Sequence, residues 1–140
     1  MQEAKDAPIS RSIMAKMSSD AGIVTNIRNV DDMIRVVANM HLCMGMRLHL
    51  LTYSAINSVP VIGIVCDPKI KGFMELIGQK RYSDLKFMSF NELMGHIDEC
   101  MQNYENIKLE LSEVCEVYKQ KADLNGKIAI DIYEKGSADI

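Results

Sequence analysis

The stretch Val59-Pro60-Val61-Ile62-Gly63-Ile64-Val65 is apolar at every position and then stops at Cys66-Asp67-Pro68-Lys69. A strand with one wet face alternates apolar and polar residues. A continuous run of this length reads instead as a strand buried on both faces, the habit of parallel sheets. Asp67 has the chemistry of a helix N-cap, and Pro68 suits the first helical position, where its missing N–H costs nothing. The strand Val61–Val65 is therefore expected to pass straight into a helix over Lys69–Ile77 that stops at Gly78. A strand feeding a helix in this way is the unit from which α/β domains are built.

The same unit repeats upstream. His41 to Gly45 reads as a strand, followed by a helix from about Met46 to Asn57 with Leu50, Leu51, Tyr53 and Ser54 near its middle. Asn29 can cap a helix running to about Asn39, because Met33, Val36, Val37 and Met40 recur at helical spacing. Residues 9–19 carry Ile13, Met14 and Met17 on one helical stripe, and Gly22 to Asn26 reads as a short buried strand. Downstream, Tyr82 to Met88 is expected to hold a fourth strand, and Asn91 to start another helix. Right-handed crossovers would place helices on both faces of such a sheet. A parallel sheet of so few apolar strands leaves an unpaired edge, so the expectation is missing N-terminal sequence, a paired chain such as a homo-oligomer, or both.

From Leu93 the pattern changes. Leu93, Ile97, Cys100, Tyr104, Ile107, Leu111, Val114 and Tyr118 alternate spacings of four and three, a heptad-like stripe. It fits either a coiled-coil arm or two amphipathic helices, broken near Asn103 and Asn106, that pack back on the domain. The second is expected. Lys127–Glu134 fits a final helix through Ala129, Ile132 and Tyr133, or an extended tail through Ile128, Ile130 and Ile132. The expected organisation is a partial Rossmann-like α/β domain over residues 1–90, then a helical segment over 91–140 that packs on it or extends from it.

Composition narrows the function classes. A chain of 140 residues with a net charge of −3 and no basic run offers no electrostatic footprint for nucleic acid. No apolar stretch reaches the roughly 18 residues of a membrane helix, and the N-terminus lacks a signal peptide's apolar region. The four cysteines, at 43, 66, 100 and 115, form no CxxC pair and have no nearby histidines to complete a metal site. Reduced thiols in a cytoplasmic protein, with no metal, are expected. The eleven methionines mostly fall among apolar positions and fill core gaps.

Two turns carry candidate chemistry, and both follow strand ends, where open parallel sheets bind ligands. In the first, Gly45 lets a ligand approach the backbone, and the helix start behind it favours an anion. Arg47 offers a forked cation for phosphate or carboxylate, and His49 a group that titrates near neutrality. Residues two apart share a face only while the chain is extended. Arg47 and His49 can therefore reach one ligand only if the turn is still extended there or the long Arg side chain curls back. The second turn, about twenty residues on, offers Asp67 and Lys69 to a ligand hydroxyl or phosphate. The plain alternatives are a surface arginine with a histidine satisfied in the core, and an aspartate that only caps its helix. His41 and His96 read as structural or exposed, and Gln2 and Asp6 as parts of a polar tail.

Taken together, Gly45-Met46-Arg47-Leu48-His49, Val59-Pro60-Val61-Ile62-Gly63 and Asp67-Pro68-Lys69-Ile70-Lys71-Gly72-Phe73 resemble the C-terminal part of polysaccharide pyruvyltransferases. The likeness is to the type that modifies secondary cell-wall polymers for attachment of surface-layer proteins, and it covers about residues 1–125. Met1-Gln2 with Asp6 looks like that family's segment after an earlier strand of the same domain. The resemblance implies the C-terminal domain of a two-domain, glycosyltransferase-B-like fold. It implies pyruvyl transfer from phosphoenolpyruvate, as donor substrate rather than cofactor, to a sugar of a cell-surface polysaccharide precursor. The acceptor would be lipid-linked, with the enzyme cytoplasmic or peripheral at the inner membrane face. On the matching positions, His49 would be the catalytic acid–base and Arg47 would hold the donor's phosphate or carboxylate. Gly45, Asp67, Lys69, Gln2 and Asp6 would line the substrate site. Cys66 stands where that family usually carries tyrosine. Its N-terminal domain has no counterpart here, and a half-cleft cannot position two substrates, so the chain is expected to be inactive alone. The other readings of the same residues are a nucleotide-sugar glycosyltransferase domain, whose diphosphate the turns would bind, and a non-catalytic, truncated interaction module.

Overall fold

The computed structural model describes residues 3–137. They fall into two compact units, Met1–Met33 and Ile34–Ile140. The first unit contains α1, Glu3–Met14, and the start of α2, Val30–Ala38. Asn29 caps α2: its Oδ1 accepts from the Asp32 N–H at 2.8 Å, as the sequence predicts. The buried strand expected at Gly22–Asn26 is absent. Those residues form neither helix nor strand, and Val24 is 47% exposed. A five-residue apolar strip becomes a strand only where another strand pairs with it. Asn26, at φ 63°, also turns the chain out of the extended region.

The second unit is mixed α/β. Its three strands are β1, Cys43–Gly45, β2, Val61–Val65, and β3, Tyr82–Asp84. They lie parallel in the order β1-β2-β3, with Gly45 beside Gly63 and Gly63 beside Tyr82. The longest and most apolar strand, β2, is the central one. Its residues Val61 and Ile62 are fully buried. Between the strands run α3, Leu48–Ile56, and α4, Pro68–Leu76. After β3 come α5, Phe90–Gln102, and the long α6, Tyr104–Ser137.

Side-chain alternation shows which helix covers which face. A Cβ on Gly63 would meet Met74 of α4 at 2.9 Å, and one on Gly45 would meet Leu50 of α3 at 2.9 Å. Gly45 and Gly63 are in register, so α3 and α4 share a face. Ser83, one residue on from Tyr82, points the other way and donates to Glu92 of α5 at 2.7 Å. Helix α5 therefore lies on the opposite face.

Helix α6 returns along the C-terminal ends of α3 and α4. Its Cys115 Sγ donates to the Ala55 carbonyl at 3.3 Å, and its Tyr118 hydroxyl donates to the Leu76 carbonyl at 3.4 Å. Ile107 and Leu111 bury the face of α6 that meets the domain. The break between the helices falls at Asn103, the C-cap of α5. Leu51, Ile62, Ile70 and Met74 are fully buried between these layers. Burying each stabilises the fold by roughly 1.5–3 kcal/mol relative to an exposed side chain. Among the described residues, no helix is long and apolar enough to cross a membrane.

Candidate functional site

Both candidate turns sit at the C-terminal edge of the sheet. Parallel pairing of β1 with β2 sets them side by side, and the Cys66 thiol donates across the gap to the Met46 carbonyl at 3.8 Å. Cys66, the residue before Asp67-Pro68-Lys69, thus ties one turn to the other.

In the first turn, Arg47 occupies the N-cap of α3 with extended backbone, φ −99° and ψ 117°. Its carbonyl accepts the Leu51 N–H at 3.3 Å, which closes the first helical turn. Helical geometry begins at Leu48, so His49 is the second residue of α3. The backbone is extended at Arg47 but already helical at Leu48, the residue between the two candidates, so a shared ligand requires the long Arg47 side chain to curl back. Arg47 and His49 are both exposed. The His49 ring has the Tyr53 ring beside it one turn along the helix, 6.2 Å between centroids. The start of α3 has no acidic residue in its first turn and no side-chain cap. Its leading N–H groups have no partners within the helix, and the N-cap residue beside them is an arginine.

Gly45 has a packing reason of its own. The space its Cβ would fill is taken by Leu50 Cδ2. A short residue at 45 lets the start of α3 fold tightly over the end of β1.

The second turn is built differently. Asp67 caps α4: its Oδ1 accepts the Lys69 N–H at 2.9 Å, and its Oδ2 lies 3.4 Å from the Lys69 ammonium. The backbone hydrogen bond, assisted by that ammonium, holds the Asp67 carboxyl below the ordinary aspartate range. Lys69 is 60% exposed. An exposed pair of this kind is weak, so the ammonium can exchange its carboxylate for an incoming anion at little cost. Gln2 lies outside the described residues. Asp6 sits in α1 of the first unit, where its carbonyl accepts from the Ser10 hydroxyl at 3.0 Å.

Other polar groups gather away from this edge. Arg81, its side chain only 7% exposed, pairs with Glu99 of α5 at 2.8 Å. Ser83 and Glu92 form the next contact along the same seam, and on α5 the His96 Nε2, between Glu92 and Glu99 in sequence, is buried without a hydrogen-bond partner. The one available signal was the spacing of seven between Glu92 and Glu99, which repeats a helix face. His41 stacks on Tyr104 with centroids 3.8 Å apart, a structural role. A depression of about 320 Å³ opens at the far end of α4, between Ile77, Gln79 and residues of α6. Among the described residues, no group of three His, Cys, Asp or Glu side chains is placed to hold a metal ion.

No family model, curated protein or solved structure matches this chain.

Proposed function

We propose that this chain is the donor-binding, C-terminal half of a polysaccharide pyruvyltransferase, with a Rossmann-like domain of glycosyltransferase-B type. The observation that carries the reading is the contrast between the two neighbouring helix starts. Helix α4 carries its own carboxylate at the N-cap. Helix α3 carries none and puts Arg47 and His49 there instead. A helix N-terminus with a guanidinium at its N-cap and no acidic residue in its own first turn is suited to an external anion.

Phosphoenolpyruvate carries two anionic groups, a phosphate and a carboxylate. Arg47 can grip one of them bidentately, and Lys69, on the adjacent turn, is the candidate cation for the other. The chemistry then needs a proton on the methylene carbon of the enol before a sugar hydroxyl adds to the carbon beside it. A second hydroxyl displaces phosphate to close the ketal. His49, exposed in the first turn of α3, is the group for the first proton transfer. The acceptor in this proposal is a lipid-linked saccharide, which places the working enzyme at the cytoplasmic face of a membrane.

The test is a titration of the chain with phosphoenolpyruvate, followed by amide chemical shifts. The expected result is millimolar or tighter binding, with the largest shifts at residues 45–49 and 66–69. Arg47→Lys should weaken it, because the forked geometry is lost. A nucleotide sugar that shifts the same residues at lower concentration would favour the glycosyltransferase reading. Shifts confined to other regions would remove the proposed site.

A further inference from the structure

Helix α6 runs on well beyond the point where the domain uses it, and its heptad-like stripe shifts register there. Helix α6 touches the domain through Ile107, Leu111, Cys115 and Tyr118, and residues 119–135 are exposed on every side. This free portion is a poor helix on its own. It contains Asn125, Gly126 and three β-branched isoleucines, all weaker helix formers than alanine or leucine. One heptad-spaced stripe brings Leu124 and Ile128, 55% and 48% exposed, together at its middle, with Val117, 49% exposed, at its inner end beside the domain. The same stripe places Lys121 between Val117 and Leu124, and Asp131 just beyond Ile128.

We propose that the outer half of α6 pairs with the same segment of a second copy of this chain, antiparallel and centred on Gly126. Of the three charged stripe positions, Lys121 and Asp131 select this occupant and this direction, and Lys135 falls at the end of the paired stretch beside the partner's Val117, where its long side chain reaches water. Residues equally far from Gly126 on opposite sides then face each other. Leu124 meets the partner's Ile128, and Ile128 meets the partner's Leu124. Lys121 meets the partner's Asp131, and Asp131 meets the partner's Lys121. Both charges are matched twice over by the two-fold symmetry.

A parallel, in-register pair would set lysine against lysine and aspartate against aspartate, which is unfavourable at core positions. In the single chain, Lys121 lies 4.8 Å over the Tyr118 ring, and Asp131 pairs with Lys135 at 2.6 Å. Both are exposed contacts between neighbours on one helix, of the weak kind that a better partner displaces. The paired length, Val117 to Lys135, is about 28 Å of helix. This inference is independent of the anion site, which lies at the other end of α3 and α4.

Sedimentation equilibrium on the full chain tests it. A reversible monomer–dimer equilibrium is expected, with a dissociation constant that rises as salt is added, because the core pairs attract. Leu124→Asp and Ile128→Asp should each raise that constant at least about thirty-fold, as loss of a central anchor does. Neither should alter thermal unfolding of the domain, which these side chains do not touch. Lys121→Gln, which keeps helix propensity, should weaken the dimer and flatten its salt dependence. A chain that stays monomeric at about 100 µM overturns the proposal, as does a dimer indifferent to Leu124→Asp and Ile128→Asp. A dimer that tightens with salt or with Lys121→Gln overturns the antiparallel arrangement.

Discussion

Arg47 is a costly choice for its position. A cation at a helix N-terminus opposes the dipole by about 0.3–1 kcal/mol, and an N-cap without a side-chain acceptor forgoes about another 1 kcal/mol. Asp67, at the equivalent place one strand along, shows what the same local geometry accepts when stability alone decides. Arg47→Asp is expected to abolish the proposed phosphoenolpyruvate binding, because it sets a carboxylate where the donor's anionic groups would sit. The shift titration checks it, and a donor affinity unchanged in that variant removes Arg47 from the site. In the two-domain enzyme the proposal implies, His49→Ala should lower turnover about 10²–10⁴-fold with donor affinity little changed. Unaltered turnover removes His49 from the chemistry. Asp67 makes a pH prediction. Its carboxyl is held below its ordinary value by the Lys69 N–H and, to a lesser degree, the Lys69 ammonium, so its charge stabilises the fold at neutral pH. That contribution is complete above the unfolded value of about 3.9 and fades as pH falls through the lower folded value. Melting curves of the wild type and Asp67→Ser should converge as pH drops from about 5 to below 3.

At the scale of elements, the seat of α4 on β2 is the tightest joint. Gly63 has Met74 Cγ 2.9 Å and Tyr82 Cβ 3.3 Å from where its own Cβ would stand. Met74 is fully buried and has little room to retreat. Gly63→Ala is expected to destabilise the domain by about 1–3 kcal/mol through overpacking, read as a lower urea midpoint at an unchanged slope. The elements that could be read directly from the residues are those whose signals are local. These include β2 from its unbroken apolar run, α4 from Asp67-Pro68 and Gly78, and the start of α2 from Asn29. Strand β3 was legible only in part. The pattern Tyr82–Met88 is apolar enough for a longer strand, but Asp84 ends it: its carboxylate accepts the Lys86 N–H and its carbonyl the N–H groups of Phe87 and Met88. Residues 22–26 misled because burial is decided by a partner that a local pattern does not reveal. The same reason hid Arg81–Glu99, whose partners are joined only when α5 docks on β3. At the candidate site, the adjacency of the two turns followed from strand order. The use of Gly45 by Leu50 did not, since it depends on one side chain folding back.

Across the whole molecule, the cysteines report how the layers hold together. Cys43 lies in β1, Cys100 on α5 and Cys115 on α6, where its thiol bonds to α3. Between them they sample both faces of the sheet and the long helix that closes its end. Burial raises the pKa of all three thiols above the ordinary value, because a thiolate is poorly solvated there. Cys66 alone among the four is exposed, on the turn between the candidate residues. The sign for stability follows from proton counting. Once pH passes the unfolded thiol value of about 8.5, the unfolded chain releases protons that the folded one keeps. Stability should therefore fall as pH rises from about 8 to 10. Replacing Cys43 and Cys100 with alanine, at a cost in packing, should flatten that slope. Thiol labelling near pH 7.5 provides the companion measurement. One equivalent per chain is expected to react quickly, at Cys66, and the buried pair only at the rate set by global opening. Fast reaction at Cys100 would mean that α5 leaves the sheet without the rest of the domain unfolding, and that the Arg81–Glu99 seam is a hinge rather than a lock.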